Sequence, residues 1–279
     1  RKKKKMNIIV ATSGDTGSAV ARGFYGLPNI NVFVLYPSGR VTPLQEKQMA
    51  SLGGNITAIE VRGSFDDCQK LAKQTLGDEE LKKKFNLSSA NSINFGRLLP
   101  QIFYYFWGYA QLFKLPIINC QLPIFVVPSG NFGNLTAGLM AKKMGLPVKQ
   151  FIAATNINDV VPRYLKTGKF VSHISRKTIS NAMDVGNPSN FTRILDLYKY
   201  DYKLMAKDIL GISVGDKETK NTIKSVYKES GYLLDPHTAV GVRAAKKSGI
   251  QKLIVVLSTA HPAKFPDAVL SVQEDQSRS

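Results

Sequence analysis

The chain has 279 residues, 43% of them hydrophobic, enough for one large core or two smaller ones. Its 38 basic against 20 acidic residues leave a net charge of +18, which attracts anions over the whole surface. No helix-turn-helix, zinc-finger or RNP-like pattern turns that charge into a nucleic-acid reader, and no apolar run approaches the roughly 20 residues of a membrane helix.

The chain opens with a basic run, Lys2 to Lys5, and starts at Arg1 rather than Met, so we expect residues upstream of it. Asn7 to Ala11 reads as a short buried strand, Thr12 to Gly17 as a polar turn, and Ser18 to Tyr25 as a helix ending near Gly26. Asn31 to Tyr36 is the next strand, Pro43 to Leu52 a helix stopped by Gly53 and Gly54, and Ile56 to Val61 a third strand. A helix then starts near Ser64 or Phe65. Asp78, Glu79 and Glu80 precede Lys82 to Lys84, an order that suits a helix dipole.

An aromatic helix over Leu98 to Leu112 is expected to be buried. A second α/β half begins with the strand Ile124 to Val127, the loop Pro128 to Asn134 and a helix over Leu135 to Met144. Val148 to Ala153 is a strand, and Lys166 to Asn190 is mostly loop. Helices follow over Lys217 to Ser230 and Thr238 to Lys247, then a late strand over Leu253 to Leu257. Short apolar strands alternating with helices are the signature of parallel α/β sheets, which bind ligands beyond the carboxyl ends of their strands. The expected domains are a smaller one over residues 6–88 and a larger one over 89–279, with a crevice between two lobes.

Four clusters can carry chemistry. Thr12-Ser13-Gly14-Asp15-Thr16-Gly17 joins a strand to a helix, where glycine-flanked amides and hydroxyls favour an anion, although Asp15 opposes one unless it caps the helix or accepts a donor. Pro128-Ser129-Gly130-Asn131-Phe132-Gly133-Asn134 does the same and suits a phosphate held by backbone amides. In both, a capped helix-entry turn explains the pattern equally well. Ser258-Thr259-Ala260-His261-Pro262 offers Thr259 to a polar ring edge, while His261 fits a loop hydrogen bond better than an acid or base. Ser89 to Asn94 with Arg97 suits a carboxylate or phosphate, with helix capping by Asn91 or Ser92 as the competing account. Cys68 and Cys120 form no CxxC, and His173, His237 and His261 are too scattered for a local metal set, so no metal is expected and a reducing, cytoplasmic setting is.

Taken in order, these segments resemble the threonine synthase family. The resemblance rests on Ala11 to Gly17, Pro43-Leu44-Gln45-Glu46-Lys47, Ser89 to Asn94, Pro128 to Asn134, Ala153 to Asn156 with Asn158-Asp159, Asn181 to Val185, and Thr259 to Phe265. It implies the two-lobed, tryptophan synthase β-like, fold type II architecture, with pyridoxal 5'-phosphate as cofactor and an N-terminal part missing. It implies a carbon-oxygen lyase that converts O-phosphohomoserine and water to threonine and phosphate, hence a phosphorylated amino acid as small-molecule partner. It assigns Gly130, Asn131, Phe132, Gly133 and Asn134 to the cofactor phosphate and sets Thr259 beside the pyridine nitrogen. Ser13, Gly14, Asp15 and Thr16 fall to the substrate's carboxylate side, and Asn91, Ser92, Asn94 and Arg97 to the substrate or its phosphate. The family's Schiff-base lysine lies in a Phe-Lys-Asp element upstream of the Thr-Ser-Gly-Asp motif. No Phe-Lys-Asp occurs here, so the catalytic residue stays unassigned and the chain alone is expected to be inactive. The alternatives are another fold type II enzyme, such as a threonine deaminase, or an anion- or nucleic-acid-binding protein.

Overall fold

A computed structural model describes residues 5–91, 94–114 and 122–268. The chain divides into two compact units, Arg1–Asn94 and Phe95–Ser279. In the first, β1 (Met6–Ala11), α1 (Asp15–Phe24), β2 (Ile30–Pro37), α2 (Pro43–Ala50), β3 (Ile56–Val61), α3 (Phe65–Gly77), α4 (Glu79–Phe85) and β4 (Leu87–Ser89) follow one another. The strands form a parallel sheet of order β3-β2-β1-β4. The winding therefore runs outward from β1 to β3 and reverses to put β4 on the other side of β1. Ile8, Val10, Val32 and Val34 point to one face and pack with Ala21 and Met49. On these strands the apolar positions are the ones the parallel sheet buries.

The second unit contains α5 (Leu99–Leu112), β5 (Ile124–Pro128), α6 (Gly133–Lys143), β6 (Gln150–Thr155) and α7 (Val160–Thr167). It continues through α8 (Phe191–Leu197), α9 (Tyr202–Asp208), β7 (Ile209–Ser213), α10 (Asp216–Ser230), α11 (Pro236–Lys247) and β8 (Ile254–Val256). Its sheet, β7-β6-β5-β8, is again parallel and repeats the same winding. Both faces are covered: Phe125 and Phe151 pack with Tyr105 and Leu139 on one side, Val126 and Ile152 with Val240 and Ala244 on the other. Because both faces are buried, the strands read as continuous apolar runs instead of alternating ones.

Several elements differ from the sequence reading. Helix α1 starts at Asp15, not Ser18, because Gly14 at φ 135° turns the chain and Thr12 Oγ1 accepts the N–H groups of Gly14 (2.9 Å) and Gly17 (2.7 Å). Helix α6 starts at Gly133, within the expected loop, and β6 runs over Gln150–Thr155, two residues beyond the predicted strand. Strands β4 and β7 were not expected: β4 has three residues, too few for any period. In β7, Gly211 looks like a loop residue but is required by packing, since a Cβ there would lie 2.6 Å from Pro162 Cα of α7.

Helix α5 is buried on one face only. Ile102, Tyr105 and Leu112 face the core, whereas Phe103 and Trp107 are 69% and 66% exposed, on an apolar stripe that also includes Leu99 and Phe106. Among the described residues, no helix is long and apolar enough to cross a membrane, and no group of acidic, cysteine and histidine side chains could hold a metal ion.

Candidate functional site

Within the second unit, the reversal of winding brings the ends of β5 and β8 side by side. Leu257 N–H donates to Val126 O (3.0 Å), extending the ladder, so the loops after both strands leave the sheet at the same edge. Segments 129–134 and 258–261, two of the four clusters singled out in the sequence, are thus neighbours by topology.

The 129–134 loop is tied down by its own side chains. Asn134 Nδ2 donates to Pro128 O (2.7 Å), and Asn134 Oδ1 accepts from Leu135 N–H (2.9 Å) and Ser129 Oγ (3.1 Å). Asn131 Oδ1 accepts from Ser189 N–H (2.6 Å) and Ser189 Oγ (3.1 Å). The Phe132 ring is buried and meets Phe191 edge-on. Tyr105, whose hydroxyl is held well above the ordinary phenol range by burial, donates to Asn134 O (2.7 Å) and fixes the helix start to α5.

These side chains shape the loop and leave the backbone to meet a ligand. Phe132, the N-cap of α6, adopts the left-handed conformation (φ 63°) and makes no side-chain cap. The N–H groups of Gly133 and Asn134 open the first helical turn, where no carbonyl of the same helix is available to them. A helix start whose N-cap residue offers no side chain to the first amides, with a positive dipole end, fits a phosphate ester. Gly130 lets a neighbouring segment close in behind: a Cβ there would fall 2.3 Å from Ala182 O and 2.8 Å from Met183 Cα.

The segment behind Gly130 is the 3-10 turn Asn181–Met183, which follows a buried polar cluster. Asp184 accepts from Thr178 N–H (3.0 Å), Thr178 Oγ1 (2.7 Å), Asn156 Nδ2 (2.8 Å) and Asn158 Nδ2 (3.2 Å). Burial pushes its carboxyl up to about 7, against those hydrogen bonds, which favour the ionised form. From α11, His237 Nε2 accepts the Ala182 N–H (3.1 Å), while Nδ1 lies 3.1 Å from Asp235 Oδ1. Asp235 also caps α11, accepting the N–H groups of His237 (2.8 Å) and Thr238 (3.2 Å) and the Thr238 hydroxyl. These bonds to His237 and Thr238 hold its carboxyl below the usual range although burial opposes them. Sequence reasoning missed Asp235 and His237, since Asp-Pro-His-Thr reads only as a helix start with proline at its first position.

On β8's side, Thr259 is exposed at the sheet edge. Ser258 Oγ is 3.4 Å from Thr238 Oγ1. His261 Nδ1 accepts from Ala263 N–H (3.2 Å) and caps the turn Pro262–Lys264, a loop-holding role.

In the first unit the corresponding edge lies beyond β1 and β4. Asn91 closes it: its Oδ1 accepts Ala11 N–H (2.7 Å) and its Nδ2 donates to Ala11 O (2.6 Å), continuing the ladder with a side chain. Asn94 Nδ2 donates to Ser89 O (3.2 Å). Asp15 is the first residue of α1 and accepts from Gln45 Nε2 (3.2 Å), the donor that offsets its charge, while Gln45 itself forms the capping box of α2 with Thr42. Ser13 and Thr16 are half-buried at the loop. Gly14 is held to glycine by its positive φ, and an added Cβ would also press on the end of the Gln45 side chain, 2.5 Å away. Ser92 lies outside the described residues. Arg97 belongs to the second unit, in the 3-10 turn before α5, where burial lowers its pKa from the usual guanidinium value.

A phosphate-fitting loop at the reversal point of a doubly wound parallel sheet, with a polar threonine loop beside it, is a construction suited to a phosphorylated aromatic cofactor. Residues 1–260 match the model of the pyridoxal-phosphate dependent enzyme family, and the chain belongs to that family. More narrowly, it is 49% identical over 270 residues to threonine synthase of Escherichia coli, covering 96% of this chain and 62% of that protein. The crystal structure of E. coli threonine synthase superposes with a TM-score of 0.91 over 97% of this chain and 62% of that one. A pyridoxal-phosphate-bound threonine synthase from Brucella melitensis matches at 38% identity and a TM-score of 0.84, over 96% of this chain and 63% of that one. A tomato threonine deaminase, at 18% identity and a TM-score of 0.66 over 98% of this chain and 70% of that one, shares the fold alone. The chain thus spans about three fifths of the length of the threonine synthases it matches.

Proposed function

We propose that the protein acts as a threonine synthase, releasing phosphate from O-phosphohomoserine and adding water to give threonine. The observation that carries this reading is the 129–134 loop, a helix start without an N-cap side chain at the carboxyl end of β5, within a chain 49% identical to a threonine synthase.

Backbone N–H groups of Gly130 to Asn134 hold the cofactor phosphate, and the Thr259 hydroxyl faces the ring nitrogen. When bound, pyridoxal 5'-phosphate supplies an electron sink for carbanion chemistry on the amino acid. In the first unit, Ser13, Gly14, Asp15 and Thr16 receive the substrate's carboxylate side. Asn94, Arg97 and Ser92 contact the substrate or its phosphate, and Asn91 acts with them by fixing the end of β1. No lysine of this chain is assigned the Schiff-base role. The protein works in the cytoplasm, in keeping with the buried free thiol of Cys68, whose pKa burial raises to about 12.

Full-length protein supplied with pyridoxal 5'-phosphate and O-phosphohomoserine should release threonine and phosphate in equal amounts. Absence of both products, together with conversion of serine or threonine to ammonia and a ketoacid, would establish the deaminase alternative instead.

A further inference from the structure

The strongest unassigned feature is the buried histidine of α11. His237 is 2% exposed, its ring meets Phe265 edge-on at 4.9 Å between centroids, and its two nitrogens have different tasks. Nε2 accepts the Ala182 N–H, so it carries no proton; Nδ1 holds the ring's proton and donates it to Asp235 Oδ1. The carboxylate thereby selects the tautomer, as a second partner does for a functional imidazole. The turn that His237 grips is the one that lies against Gly130, close enough that no Cβ fits between them.

We propose that His237, oriented by Asp235, is a positioning residue for the phosphate loop: it holds the Ala182–Met183 turn as the back wall on which Gly130 rests. The proposal rests on the reading of residues 130–134 as the phosphate cradle. Its logic is that side chains of the loop, those of Asn131, Phe132 and Asn134, fix its flanks, while the depth at Gly130, which has no side chain, is left to what packs behind it. That depth is set by backbone contact between Gly130 and the 3-10 turn, and the Ala182 amide is the point at which another element, α11, takes hold of that turn. A loss at His237 lets the turn relax, and the amides of Gly133 and Asn134 lose their aim at a bound phosphate. The carboxylate of Asp235 acts on this histidine by direct hydrogen bond.

The test uses full-length apo-protein and 4-deoxypyridoxine 5'-phosphate, which has the cofactor's phosphate but no aldehyde and so binds without a Schiff-base lysine. Affinity is read by titration calorimetry, and the phosphate's surroundings by the 31P chemical shift of the bound probe. His237→Asn reaches Asp235 but not Ala182; it should weaken binding about tenfold, the scale of one misdirected hydrogen bond, and move the 31P signal. His237→Gln places an oxygen near the Nε2 position and should restore binding to within about twofold, with the parent 31P shift. If the asparagine variant is not recovered folded, His237→Phe keeps the ring against Phe265 without the acceptor and should show the same loss. A variant without the acceptor that melts earlier but binds the probe with parental affinity and an unchanged 31P shift, while Gly130→Ala weakens binding, would overturn the proposal and leave the cradle reading intact. Parental binding by Gly130→Ala as well would overturn the cradle reading, and the proposal with it.

Discussion

Gly130→Ala isolates the contact between the 129–134 loop and the turn behind it. Gly130 is not among the residues at positive φ, so an alanine meets no backbone objection there. The objection is spatial: its Cβ would sit 2.3 Å from Ala182 O and 2.8 Å from Met183 Cα. A comfortable carbon-to-oxygen contact is about 3.3 Å, so the two segments must separate by about 1 Å. Both opposing atoms are backbone or directly attached to it, so no rotamer change relieves the clash. The Ala182 amide is also held by His237. Overpacking of this kind costs roughly 1 to 3 kcal/mol, and the rigid surroundings put this case near 3. For a folding unit of about this size, 3 kcal/mol lowers the melting midpoint by roughly 6 to 12 °C. Thermal melts followed by circular dichroism measure the shift, and amide spectra locate it at Ala182 and Met183. A midpoint within about 1 °C of the parent, with those two amides unmoved, would refute the packing argument.

Other perturbations have equally definite outcomes. Asp184 has its carboxyl raised from 3.8 to about 7, so its contribution to stability is fully present below about pH 4, is lost as pH rises to about 7, and is flat above that. Denaturant titrations from pH 4.5 to 8 should show this decline, with a slope of up to about 1.4 kcal/mol per pH unit; Asp184→Asn should remove it, and an unchanged slope in the variant would assign it elsewhere. Asn91→Leu deprives the Ala11 N–H and C=O of their side-chain partners and should destabilise the first unit by roughly 2 to 4 kcal/mol, with faster amide exchange at Ala11. Gly23→Ala is the opposite case: nothing lies within 4 Å of an added Cβ on helix α1, and stability should rise by roughly 0.5 to 1 kcal/mol in the same titrations.

The sequence determined the α/β class, most strands of both sheets and the two principal anion-fitting turns, because these depend on short-range signals: apolar runs between glycine and polar clusters. It also carried the ordered motifs of the threonine synthase resemblance. It placed helix starts late at Asp15 and Gly133, since the hydrogen bonds of Thr12 and the left-handed Phe132 act over a few residues but leave no periodic trace. Strands β4 and β7 escaped it because their identity lies in their partners, β1 and β6, not in their own three and five residues. Only the tertiary structure gave Asn91 its place as an extension of the ladder and showed Asn131 and Asn134 as ties that hold the 129–134 loop in shape. The same holds for Asp235, His237 and Ala182, separated by up to 55 residues in the chain yet joined by hydrogen bonds. Residue type says what a side chain can donate or accept; which partner it finds is set by the winding of the sheet, which brings distant segments to a common edge.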